Sequence, residues 1–128
     1  MSQKCLNILI ADDEPSTIVA VSFVLRHSGH LVDAVNDGTA AFSLITGNLG
    51  YYHILITDHA MFEISGLDLI ARLRATEFQG RIVVLSGKLT RELTKSYLAL
   101  GADRLISKPF DIAELRKTIA DLGSAFEN

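Results

Sequence analysis

The sequence predicts an α/β fold, a five-stranded parallel sheet wound on both faces by helices, and three observations predict it. Five runs rich in Ile, Leu and Val have strand length: Leu6 to Ala11, His30 to Val35, His53 to Thr57, Arg81 to Leu85 and Arg104 to Ser107. Most are apolar on successive residues, as strands buried on both faces are. The segments between them carry apolar residues at a period of roughly 3.6, so strand and helix alternate, and helical crossovers of this length join parallel strands with a right-handed turn.

Each helix has its own punctuation. Pro15 lies just inside the start of the first, where its missing N–H costs nothing, with Asp13 or Glu14 placed to cap it and Gly29 to end it. Asp37 opens the second, which bears Ala41, Leu44 and Ile45. Ser65 with Asp68 opens the third, bearing Leu67, Ile70 and Leu73. Thr90 caps a segment carrying Leu93, Tyr97 and Leu100, closed by Gly101. Asp111 and Glu114 open the fifth, whose stripe is Ile112, Leu115, Ile119 and Leu122. Residues 1–4 and the tail after Gly123 are expected to fray.

With 128 residues, 48% of them hydrophobic, the chain suits one domain over 1–128 with a single core. Twelve Lys and Arg against fifteen Asp and Glu leave a net charge of -3, which argues against direct nucleic-acid binding, since that depends on clustered cations displacing counterions. A lone cysteine, Cys5, forms no internal disulfide and no metal cluster, so the chain reads as intracellular, or at least indifferent to an oxidising compartment. The first residues, Met1 to Lys4, are polar and do not read as a signal peptide, no apolar stretch approaches the ~18 residues needed to span a bilayer, and no membrane insertion is expected.

In doubly wound sheets, ligands bind beyond the carboxyl ends of the strands. The first strand ends in Asp12 and Asp13, followed by Glu14; the third ends in Asp58, the fourth in Ser86 and Gly87, the fifth in Lys108 and Pro109. Carboxylates gathered at one edge repel one another, and a bound cation relieves this. All-oxygen donors suit a hard ion, and Mg²⁺ takes one or two carboxylates plus phosphate oxygen. A carboxylate beside it is a nucleophile toward phosphorus, with Lys108 and Ser86 placed to meet the phosphoryl oxygens and Gly87 leaving room for the group.

These residues together resemble the receiver domain of bacterial two-component response regulators, over essentially the whole chain. The resemblance implies the flavodoxin-like strand order 2-1-3-4-5 and a cytoplasmic signalling switch rather than an enzyme with a turnover substrate. By the family's pattern Asp58 accepts a phosphoryl group from a sensor histidine kinase or phosphotransfer protein. Asp12, Asp13, Asp58 and the backbone carbonyl of Ala60 hold Mg²⁺, Lys108 contacts the phosphoryl group, and Ser86 moves toward it. The bond before Pro109 is then cis. The downstream protein partner and any homodimerisation are not specified by the sequence. The chain ends shortly after its fifth helix, so a stand-alone receiver or a piece of a longer protein is expected.

Departures from the pattern bear on how the switch works. Phe62 stands where the family usually has proline. Leu105 replaces an aromatic residue that commonly couples phosphorylation to the surface, so the switch pair here is Ser86 and Leu105. Ala60 offers no polar side chain to orient an attacking water, while Lys88 lies within reach of the phosphoryl group, and together these imply a long-lived phosphorylated state. His59, next to Asp58, is placed to modulate the pocket. His27 and His30 look like surface residues, and His53 begins a strand, all three in structural roles. Tyr51 and Tyr52 read as packing residues rather than a base-stacking platform. The main alternative is a pseudo-receiver acting as a constitutive docking module, to which Phe62 and Leu105 lend weight. A metal-dependent phosphohydrolase needs a second acid after the nucleophile, where His59 and Ala60 stand. A flavin site needs glycine and hydroxyls in the acidic first loop.

Overall fold

The computed structural model describes residues 4–126. Its elements alternate without interruption: β1 (Asn7–Ala11), α1 (Pro15–His27), β2 (Leu31–Val35), α2 (Gly38–Gly47), β3 (Ile54–Thr57), α3 (Gly66–Arg74), β4 (Arg81–Ser86), α4 (Arg91–Ala99), β5 (Arg104–Ser107) and α5 (Ile112–Gly123). The sheet is parallel throughout, in the order β2-β1-β3-β4-β5.

Four helices begin at the caps read from the sequence. Asp37 accepts from the Ala40 N–H, Thr90 from Leu93 and Asp111 from Glu114, while Ser65 and Asp68 form a reciprocal capping box. Each removes an orphan donor, worth about 1 kcal/mol. At α1 the expectation fails: Glu14 occupies the cap position but its side chain makes no capping bond, its carboxylate accepting from Lys108 Nζ at 2.6 Å instead.

Successive side chains of a strand point to opposite faces, and β1 divides its apolar residues accordingly. Ile8 and Ile10 join Ile54, Ile56, Val83 and Leu85 beneath α1 and α5, while Leu9 and Ala11 join Leu55, Ile82 and Val84 beneath the helices of the other face. Burial on both faces holds for β1, β3 and β4. The edge strands depart from it: β2 buries only Val32 and β5 only Ile106, since each has a neighbour on one side alone. Two residues assigned to helical stripes, Leu44 and Ile112, are exposed. The tail also differs from expectation, because Ser124–Phe126 form a 3₁₀ turn, Phe126 packs on the core, and its carbonyl accepts from Lys4 Nζ at 2.6 Å. The rest of the tail and residues 1–3 lie outside the described residues.

Two histidines fasten the start of β1. His30 Nδ1 accepts the Leu6 N–H at 3.1 Å and His53 Nδ1 accepts the Asn7 N–H at 2.9 Å, and Phe126 packs its ring edge-on to His53. His30 is therefore buried, not a surface residue. An imidazolium has no acceptor, so both bonds need neutral rings, and burial lowers both pKa values, with Lys4 adding to the effect at His53. The unfolded chain takes up protons as pH falls through about 6.5 while the folded chain resists. Stability present above that pH is therefore lost below it, at up to about 1.4 kcal/mol per pH unit for each histidine, until the depressed native values are passed. Urea midpoints are expected to fall between about pH 7 and 5.5, and His30→Gln is expected to flatten the slope; an unchanged slope would count against this account.

Candidate functional site

The sheet itself places the site. The first residue beyond each of three strands stays bonded to its neighbour: Asp12 N–H to the Val35 carbonyl at 3.1 Å, Asp58 N–H to Ala11 at 2.9 Å and Lys108 N–H to Ser86 at 2.9 Å. Residues from four strand ends are thus held at one edge, with the cis bond at Lys108–Pro109 turning the chain after β5.

Lys108 is the centre of this arrangement. Its Nζ lies 2.6 Å from Glu14 Oε1, 2.9 Å from Asp12 Oδ2 and 3.4 Å from Asp58 Oδ2. Burial works to lower the ammonium pKa, but the bonds to Glu14 and Asp12 and the charge of Asp58 carry it above the ordinary lysine value. At Asp12 burial dominates and raises the carboxyl pKa, with repulsion from Asp58 adding to it, against the Glu14 N–H and Lys108. One ammonium among three carboxylates leaves the cluster short of positive charge.

Carboxylate oxygens of Asp12, Glu14 and Asp58 lie within 4.8 Å of one another and could hold a metal ion. The donors are all oxygen, two of the three residues are buried, and one ammonium does not balance three carboxylates, which together fit a hard divalent cation such as Mg²⁺. The structure thus brings Glu14 into the group; Asp13 stays outside it, and both residues are exposed and line the adjoining cleft. That cleft, about 620 Å³, is also lined by Asp58, Ala60, Ser86, Gly87 and Lys88. Ser86 is buried with its Oγ accepting the Lys88 N–H at 3.3 Å. A Cβ at Gly87 would meet only Lys108 Cβ, at 3.9 Å, so space alone does not demand glycine there.

The loop after β3 holds the remaining sequence candidates. His59 N–H donates to Asp58 Oδ1 at 2.7 Å, but its imidazole turns away from the cleft and shares a 2.6 Å hydrogen bond with the Tyr97 hydroxyl. Phe62 is exposed and Glu63 adopts φ 69°, the left-handed region. Leu105 is half-buried against the core on the side of α2, α3 and α4. Tyr52 is buried with its hydroxyl on Asp33 at 2.6 Å, a packing role. Sequence reasoning passed over Gly66, where a Cβ would lie 2.2 Å from the Asp58 carbonyl oxygen. A glycine one residue past a capping serine, where most residues would serve, was the available signal.

The family profile described as response regulator receiver domain matches residues 8–120. The chain belongs to that family. The receiver domain is 31% identical over 110 residues to transcriptional regulatory protein TcrA of Mycobacterium tuberculosis, across 86% of this chain and 43% of that protein. It is likewise 31% identical over 110 residues to transcriptional regulatory protein DltR of Streptococcus agalactiae, across 86% of this chain and 48% of the relative. The chain therefore spans less than half the length of these curated relatives. Among solved structures, the Francisella response regulator 1452 receiver domain superposes with a TM-score of 0.88 at 25% identity, covering 95% of this chain and 99% of that one. Receiver domains are signal transducers of two-component systems rather than turnover enzymes, and no helix among the described residues is long and apolar enough to cross a membrane.

Proposed function

We propose that this receiver domain is a phosphorylation-dependent switch whose acceptor is Asp58, charged by a histidine kinase or phosphotransfer protein. The observation that carries the reading is the joint placement of Asp58 Oδ2 against Lys108 at the mouth of an open cleft, with Asp12 and Glu14 beside it. An Asp58 oxygen attacks phosphorus, the bond from phosphorus to the donor nitrogen or oxygen breaks, and the leaving group departs with that electron pair. Lys108 exchanges a carboxylate partner for a phosphoryl oxygen, and Ser86 Oγ, already at the cleft wall, donates to another. Asp12, Asp13, Asp58, the Ala60 carbonyl and Glu14 are the groups that would hold Mg²⁺. When bound, that ion would neutralise charge on the phosphoryl group.

Charge gained at Asp58 then shifts a pre-existing equilibrium between surface conformations that a downstream protein reads. Leu105, half-buried against the core and without a hydroxyl, would take part by repacking. The pseudo-receiver alternative gains nothing from the geometry, since acceptor, lysine and hydroxyl converge.

The test is incubation with acetyl phosphate and Mg²⁺ followed by intact mass. One added phosphate is expected, dependent on Mg²⁺. After donor removal the label is expected to persist for minutes, because the Ala60 methyl beside the cleft cannot orient a water. No added mass would overturn the switch, and loss within seconds would overturn the long-lived state.

A further inference from the structure

We propose that Tyr97 is a positioning residue whose hydrogen bond to His59 makes the seating of α4 depend on the state of Asp58. The proposal rests on Asp58 being the phosphoacceptor. Helix α4 is held differently from the others: α1, α2, α3 and α5 bury three to five residues each, whereas α4 buries Tyr97 alone. A helix with one buried residue, its Leu93 packing only in part against the core, is the element most easily reseated. Tyr97 is fully buried, and its hydroxyl reaches the chain neighbour of the acceptor: 2.6 Å to His59 Nδ1, with the rings edge to face at 5.7 Å. The start of α3 packs against the same point, since a Cβ at Gly66 would come within 2.8 Å of the Tyr97 hydroxyl.

His59 is tied to the acceptor by its other end. Its N–H donates to Asp58 Oδ1 at 2.7 Å and its carbonyl accepts from Gly66 N–H at 2.8 Å. Esterifying Asp58 turns a charged carboxylate into an acyl group and places phosphoryl oxygens, stronger acceptors, beside the same N–H. The His59 peptide turns toward them, and the imidazole moves with it. The buried Tyr97 hydroxyl, which also meets the Leu67 backbone, then either follows, carrying α4, or gives up its His59 partner, which is costly inside the core. His59, Leu93 and Ser96 also line a groove of about 460 Å³ between the acceptor loop and α4, so the displacement alters a surface that a partner can read. In this chain the hydroxyl comes from α4, whereas Leu105 on β5 has none.

The experiment compares wild type, Tyr97→Phe, His59→Leu and the double variant with and without acetyl phosphate and Mg²⁺. Phosphate is followed by intact mass and α4 by hydrogen exchange of residues 91–99. Phosphorylation of wild type is expected to change α4 exchange by about fivefold or more, the usual lower bound of coupling between sites. Tyr97→Phe keeps the ring and is expected to take phosphate at the wild-type level while losing most of the α4 response. The double variant is expected to lose no more than either single, a non-additivity that general loosening does not produce. Wild-type labelling with an undiminished α4 response in Tyr97→Phe overturns the relay alone, as do additive losses. Failure of wild type to label overturns the switch and the relay with it.

Discussion

Asp58→Asn is expected to abolish phosphate incorporation and, in the same protein, to raise stability. Both effects come from the one carboxylate. An amide has no free oxygen nucleophile, so labelling by acetyl phosphate should fall to background. The stability gain follows from the charge count around Lys108, which serves three carboxylates and sits nearer Glu14 and Asp12 than Asp58, at 2.6 and 2.9 Å against 3.4 Å. Removing the Asp58 charge costs the weakest of these attractions and relieves its repulsion of buried Asp12. Asn retains an oxygen for the His59 N–H. The expected gain is about 1 kcal/mol in metal-free buffer at neutral pH, the scale of one close charge pair at an effective dielectric near 20 after partial cancellation. Urea denaturation decides it. Mg²⁺ should reverse the order: at about a hundred times its dissociation constant the ion stabilises wild type by roughly 2.7 kcal/mol, and a variant with one ligand fewer by less. A loss of stability in metal-free Asp58→Asn would show that the Lys108 attraction outweighs the repulsion.

The parts of this molecule legible in the sequence are those whose physics is local. Asp37, Ser65, Thr90 and Asp111 each act within three residues, and all four cap as read. The central strands were legible because burial on both faces leaves a continuous apolar run. The edges were not: Leu31 and Asp33 belong to a strand whose exposure depends on which neighbours the sheet supplies. The same divide runs through the site. That Asp12, Asp58, Ser86 and Lys108 would share a sheet edge followed from each ending a strand. Which of Asp13 and Glu14 meets Lys108 did not, because Glu14 is drawn to a lysine ninety-four residues away by a turn that Asp12 sets through the Glu14 N–H. Tyr97 was legible as a core residue of α4, but its hydroxyl partner depends on the packing of a loop from the other half of the chain.

Gly66→Ala is expected to cost more than an alanine at a helix start ordinarily gains, and to slow labelling of Asp58 from a distance. Alanine favours helix over glycine by up to about 1 kcal/mol. Here the added Cβ would lie 2.2 Å from the Asp58 carbonyl oxygen and 3.1 Å from its carbonyl carbon, both backbone, so neither can swing aside as a side chain would. Either α3 retreats from the sheet or the acceptor loop shifts. Overpacking of this kind costs about 1 to 3 kcal/mol. A shift near 1 Å at a reacting group slows reaction by as much as about a hundredfold, so labelling should fall at least tenfold, though Gly66 touches no phosphoryl oxygen. Gly47→Ala is the matched control: nothing lies within 4 Å of its Cβ, and glycine there ends α2 without a positive φ. That variant should gain about 0.5 to 1 kcal/mol and label normally. The same substitution would then have opposite signs at two helix positions, decided by the distance to the backbone that carries the acceptor. If Gly66→Ala matched Gly47→Ala in urea midpoint and labelling rate, the close approach of α3 to Asp58 would not be what holds the acceptor in place.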